Sequence, residues 1–163
     1  MFTTVVIGHD GSAGGRSAVA FARTLARRQW SRPRLVVIHI DQLVPGRGGA
    51  QHAELLEGEL QEQVRTDVAD LEADGFDAEL HVKQVVRNGP ASAIAAAAGE
   101  VSADLIVVGA DGSGSLRGLL HPSTVHRLVQ VAPCPVLVTR RDASPLRGRA
   151  QVVDLPVSGA GGR

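Results

Sequence analysis

Two apolar runs in this chain end in nearly the same five residues. Val5-Val6-Ile7 leads into Gly8-His9-Asp10-Gly11-Ser12, and Leu105-Ile106-Val107-Val108 leads into Gly109-Ala110-Asp111-Gly112-Ser113, with one difference in the five. A short run with no polar interruption reads as a strand buried on both faces, and such strands belong to parallel sheets. Each loop is followed by residues at helical spacing. A glycine-rich turn from strand to helix lets backbone N–H groups surround a phosphate. In an open α/β sheet, ligands sit outside the carboxyl ends of the strands where the strand order reverses, so two matched loops predict neighbouring strands at that reversal. Gly and Asp also favour tight turns on their own account, which leaves two ordinary turns as the alternative. The repetition favours the shared site.

The rest of the chain alternates in the same way. Thr3 to Ile7 is the first strand, Ser12 a candidate N-cap, and Arg16 to Arg28 a helix with Val19, Phe21, Ala22, Leu25 and Ala26 on one stripe. Ser31-Arg32-Pro33 breaks it, and Leu35 to Ile40 forms a second strand in which His39 faces away from its apolar neighbours as a hydrogen-bonded structural residue. Val44 to Gly49 reads as a turn or loop. An amphipathic helix follows over Ala53 to Ala73, with Leu56, Leu60, Val64, Val68 and Leu71 on its apolar face and Gly75 ending it. Ala78 to Val86 predicts an edge strand, and Asn88-Gly89-Pro90 leads into an alanine-rich helix that ends near Glu100. After the central strand and its loop, Ser123 to Val131 is a fourth helix with Val125, Leu128 and Val129 inward, and Val136 to Thr139 a fifth strand. Strict alternation of strand and helix demands parallel strands joined by right-handed crossovers. Residues 1–141 form one domain on this reading, and residues 142–163, rich in Gly, Pro, Ser and Arg, a mobile tail.

Composition removes several function classes. Lys and Arg together number 17, as do Asp and Glu, so no net charge draws the chain to nucleic acid or an anionic membrane. Aromatic residues are 2% of the chain, too few for base-stacking surfaces. A single cysteine, Cys134, excludes an internal disulfide and fits a reducing compartment. No apolar run approaches the roughly eighteen residues of a membrane span, and the N-terminus lacks a basic segment followed by an apolar one, so the expectation is a cytoplasmic protein. G-x-G-x-x-G is absent at Gly8, and the only lysine, Lys83, rules out a G-x-x-x-x-G-K-[ST] loop. His121 and His126 are badly spaced for a shared metal, and adjacency of His9, Asp10 and Ser12 gives no triad geometry.

The order strand, DGS loop, helix, H-x-D strand end, amphipathic helix, G-x-x-G loop and APCPVLV resembles the universal stress protein family over roughly residues 2 to 141. The most specific parts are Val6 to Ser12, Asp104 to Gly112 and Ala132 to Arg140. The resemblance implies a doubly wound five-stranded parallel sheet of order 3-2-1-4-5, helices on both faces, of the adenine nucleotide alpha hydrolase-like kind. It also implies a homodimer formed through the last strand, here Val136 to Thr139. One branch of the family binds ATP through G-x-x-G, nine residues, then G-[ST]; another branch lacks that signature and does not bind. Carried over by position, Gly8 and Asp10 would lie near adenine or ribose and Ile40 against adenine. Gly109, Gly112, Ser123 and Thr124 would approach ribose and phosphates.

This chain departs from the signature at one point. Pro122 stands where the second glycine belongs. Proline is comfortable at a first helical position, but it has no N–H to offer a phosphate. Losing one charge-assisted hydrogen bond costs roughly 1.5–3 kcal/mol, about ten- to a hundredfold in affinity. Arg117 is a candidate phosphate contact that would offset part of this loss. Three readings stand. The first is a cytoplasmic binding protein holding ATP or another adenine nucleotide, acting in stress through dimerisation and partner regulation. The second is a dimeric interaction protein with a vestigial pocket. The third is a slow nucleotide hydrolase using Asp111 and a bound divalent ion.

Overall fold

The computed structural model describes residues 1–41, 49–84, 89–110 and 122–140. The element order is β1 (Thr4–Gly8), α1 (Ala13–Arg27), β2 (Arg34–Asp41), α2 (Gly49–Ala73), β3 (Ala78–Gln84), α3 (Gly89–Glu100), β4 (Leu105–Gly109), α4 (Pro122–Val131) and β5 (Val136–Thr139). All the strand pairings are parallel, and the sheet order is β3-β2-β1-β4-β5. The parallel sheet expected from the alternation is observed, in the doubly wound order that the resemblance implied.

Strand residues alternate between two cores. Val5, Ile7, Leu35, Val37, Leu105 and Val107 pack with Ala18, Val19, Ala22 and Ala26 of α1 and with Val64, Val68 and Leu71 of α2. Val6, Val36, Ile38, Ile40, Ile106 and Val108 pack on the other face with Ala91, Ile94, Ala95, Ala97 and Ala98 of α3 and Leu128 of α4. Burial on both faces explains why β1 and β4 carry no polar residue between their ends. The alanines of α3 bring that helix close to the sheet.

Several boundaries differ from the sequence reading. Helix α1 starts three residues earlier than Arg16, because Ser12 caps it directly: the Ser12 hydroxyl accepts from the Gly15 N–H at 3.2 Å. Helix α2 starts at Gly49 rather than Ala53, taking in the end of the stretch read as a loop. Strand β3 is described to Gln84, and α4 begins at Pro122 itself, the first-position placement that proline favours. Val129 is a correction. It is 58% exposed, whereas Leu128 is buried, so the inner face of α4 is narrower than the apolar pattern suggested. The C-terminal tail lies outside the described residues.

Candidate functional site

Strands β1 and β4 pair in parallel with Val5 opposite Leu105 and Ile7 opposite Val107, so their loops leave the sheet side by side. From β1 the sheet grows through β2 and β3 on one side and through β4 and β5 on the other. In open sheets of this kind, ligands bind at such a reversal of strand order. Helices α1 and α4 each follow one of these two strands in a βα unit, which directs both N-termini to the same edge of the sheet. Neither has an acidic residue in its first turn, so no carboxylate of either helix's own first turn offsets the positive end of its dipole.

The first loop is described in full. The His9 N–H donates to the Ile38 carbonyl at 3.0 Å, carrying the β1–β2 pairing one residue past the strand. Asp10 then turns the chain: its Oδ1 accepts from the Ser12 N–H at 3.0 Å, an Asx-turn. Gly11 adopts φ +74°, a left-handed conformation that glycine tolerates without strain. The Arg16 guanidinium reaches back to donate to the Gly11 carbonyl at 3.0 Å, placing a cation beside the loop. Asp10 is only 4% exposed, so the carboxylate sits inside the strand end rather than in bulk water.

On the other strand, the Ala110 N–H donates to the Thr139 carbonyl at 2.6 Å, and the Thr139 hydroxyl donates to the Val108 carbonyl at 3.3 Å. Gly109 is required by packing. A Cβ there would lie 2.3 Å from the carbonyl oxygen of Gly14 and 2.7 Å from its Cα, both backbone atoms of α1. Gly8 is constrained less severely, a Cβ there lying 2.9 Å from Val108 Cγ1, a side-chain atom. Both strand-end glycines therefore have a structural reason independent of any ligand. They let α1 and the opposite core close onto the strand ends.

Gly8, Asp10 and Gly109 thus come together at the β1–β4 ends. Ile40 lies near the carboxyl end of adjacent β2, buried with the α3-side core. Ser123 and Thr124 fall in the first turn of α4 behind Pro122. Gly112 and Arg117 lie outside the described residues, as does Asp111. Among the described residues no group of three or more His, Cys, Asp or Glu side chains is placed to hold a metal ion.

Two site-adjacent residues escape the sequence reading. His9 is 2% exposed, and its Nε2 meets Asp67 Oδ2 of α2 at 2.7 Å. Its Nδ1 accepts from the Gly11 N–H at 3.0 Å. Asp67 lies on the stripe that carries Val64, Val68 and Leu71, and a carboxylate at that position was the signal available. His39, expected to be structural, donates through Nδ1 to the His9 carbonyl at 2.9 Å and is fully buried.

The far end of the same strand pair is built differently. Asp104 Oδ2 accepts from the Thr3 N–H at 2.6 Å, the Thr3 hydroxyl at 2.6 Å and the Thr4 N–H at 2.9 Å. These bonds favour the ionised form and hold its pKa at about 2.

The sequence model of the universal stress protein family matches residues 1–140. A universal stress protein of Thermus aquaticus is 35% identical over 143 residues, covering 86% of this chain and all of that one. Among solved structures, a universal stress protein in complex with cAMP superposes with a TM-score of 0.54 at 25% identity, over 86% of this chain and 98% of the other. A universal stress protein from Archaeoglobus fulgidus in complex with dAMP superposes with a TM-score of 0.56 at 24% identity, over 83% of this chain and 96% of the other. No helix among the described residues is long and apolar enough to cross a membrane. The family match spans β1 to β5 and includes both matched loops: this chain belongs to the universal stress protein family.

Proposed function

We propose that this protein binds an adenine nucleotide in the crevice at the carboxyl ends of β1 and β4. The observation that carries the reading is the reversal of strand order between two strands that end in the same Gly-x-Asp-Gly-Ser loop. The cAMP and dAMP held by the two relatives support the same ligand class. Asp10 would accept hydrogen bonds from ribose hydroxyls or the adenine amine, since a carboxylate offers acceptors only. Gly8 and Ile40 would border the base, and Gly109, Gly112, Ser123 and Thr124 the ribose and phosphates, with Arg117 as a further phosphate contact. Backbone N–H groups at the start of α4 would meet phosphate, less the one that Pro122 lacks.

The function that follows is regulatory. Occupancy of the crevice would bias dimerisation and partner binding in the stress response, in the cytoplasm, with no group assigned to catalysis. Slow hydrolysis would need Asp111 and a divalent ion accompanying the phosphates. The dimer would form through β5, an edge strand whose Val138 is 40% exposed, next to α4 with Val129 and Val131 exposed. Edge strands with apolar residues invite pairing, and a two-fold antiparallel match would bury them. Pro122 favours a second reading, in which the dimer remains and the pocket is vestigial.

Denaturing the purified protein and measuring the mass and absorbance of what it releases separates the two readings. Release of an adenine nucleotide, or saturable calorimetric binding of ATP, AMP or cAMP, is the expected result. A protein that releases nothing and binds none of the three would leave the interaction-protein reading. Light scattering tests the dimer independently, and a monomer at micromolar concentration would end that part.

A further inference from the structure

The first loop is shaped from outside, by helix α2. The Gly11 N–H donates to His9 Nδ1, so that nitrogen carries the lone pair and the proton of the neutral ring sits on Nε2. Nε2 then donates to Asp67 Oδ2. The ring has been given room. A Cβ on Gly15 would lie 2.3 Å from His9 Nδ1 and 3.1 Å from its Cγ, and only glycine leaves that space. A Cβ on Gly11 would lie 2.5 Å from Leu60 Cδ2, so the loop also rests directly on α2. The His9 main chain is held as well, its N–H on Ile38 and its carbonyl under His39 Nδ1.

These contacts surround Asp10 on both sides in sequence. His9 is locked before it, and the amide of Gly11 is locked after it by the same imidazole. We propose that His9 is a positioning residue: through it, Asp67 of α2 holds the Asp10–Ser12 turn in its ligand-receiving shape, and adenine nucleotide affinity depends on that carboxylate. The inference rests on the nucleotide reading of the crevice. Its physical basis is preorganisation, since a turn already held in place loses less freedom when a ligand arrives. Asp67 is held in turn by Gln63, whose Nε2 donates to its Oδ1 at 3.5 Å.

The test compares Asp67→Leu, which removes the acceptor at similar volume, with Asp67→Asn, which keeps an oxygen for Nε2. Calorimetry with ATP should show affinity weakened roughly tenfold in Asp67→Leu and restored to within about threefold of the parent in Asp67→Asn. Amide hydrogen exchange without nucleotide reads the tether alone: Gly11 and Ser12 should exchange faster in Asp67→Leu and at near-parent rates in Asp67→Asn. Should Asp67→Leu fail to fold, Asp67→Ser, whose hydroxyl falls short of Nε2, carries the same expectation. Faster loop exchange with unchanged ATP affinity would overturn the positioning role. Unchanged exchange would overturn the tether itself. No ATP binding by the parent, with the loop still loosened by Asp67→Leu, would overturn the nucleotide reading and confine His9 to loop structure.

Discussion

The paired strands β1 and β4 are fastened in opposite ways at their two ends. At the amino end, one oxygen of Asp104 gathers three donors from Thr3 and Thr4, and the Asp104 N–H donates to the Thr4 carbonyl at 2.9 Å. That oxygen is committed to two amides and a hydroxyl of the protein itself. At the carboxyl end, Asp10 accepts one amide of its own turn, and the strand ends close through Gly109, which lets α1 approach, and Gly8, which lies against Val108 and Ile94. Two aspartates at opposite ends of one strand pair thus have different work. The one with three protein donors is a fastening. The one at the start of α1 has, among the described residues, a single local donor, and in the proposed site its remaining lone pairs would meet a ligand.

The largest effect is expected where the carboxyl end is closed by backbone alone. Gly109→Ala would drive a Cβ into Gly14, whose backbone cannot rotate away as a side chain could. Urea denaturation should show a loss of about 3 kcal/mol, in the upper range for overpacking. A neutral result would mean that α1 can shift freely at this edge, and the closure argument would fall.

Asp10→Ala should weaken adenine nucleotide binding roughly tenfold or more by calorimetry, with a nearly unchanged circular dichroism spectrum. Loss of fold would place Asp10 with Asp104, as a second fastening, and erase the contrast between the ends. Pro122→Gly should tighten ATP roughly tenfold and leave adenosine unaffected, because only phosphate would feel the restored N–H. Its stability should fall modestly, since glycine frees the unfolded chain. An equal gain for adenosine would mean general loosening.

The smallest effect is at Asp104, where the loss shows above about pH 4 and disappears in acid. Its folded pKa of about 2 lies below the roughly 3.9 of an unfolded aspartate, so its contribution is fully present above about pH 4 and is lost as pH falls through 2. Asp104→Asn should flatten that part of the stability–pH curve without altering nucleotide affinity. An acid limb identical to the parent's would show that the three hydrogen bonds do not favour the ionised form.

The sheet was legible because it rests on pattern. Unbroken apolar runs at Val5 and Leu105 mark strands covered on both faces, and strict alternation with helices leaves few topologies. The end of α2 was legible at Gly75, whose φ of +80° needs glycine, while its start at Gly49 carries no comparable stop signal. Val129 was misread because an apolar residue beside Leu128 fits the stripe whether it faces the sheet or a solvent-exposed edge. The strand-end glycines were found but their reason was not. Close approach of Gly14 to Gly109 depends on where α1 crosses β4, which no local pattern encodes. The His9–Asp67 contact spans 58 positions and joins a loop to a helix, so only the assembled fold brings it into view.

The most direct test of the central claim is a titration of ¹⁵N-labelled protein with ATP, AMP and cAMP, followed through amide chemical shifts at both ends of the strand pair. Saturable shifts are expected at Gly8 to Ser12, Gly109, Ala110 and Thr124, with Thr3, Thr4 and Asp104 unmoved. Saturable shifts at the Asp104 end instead, or none at either end with all three nucleotides, would contradict the claim.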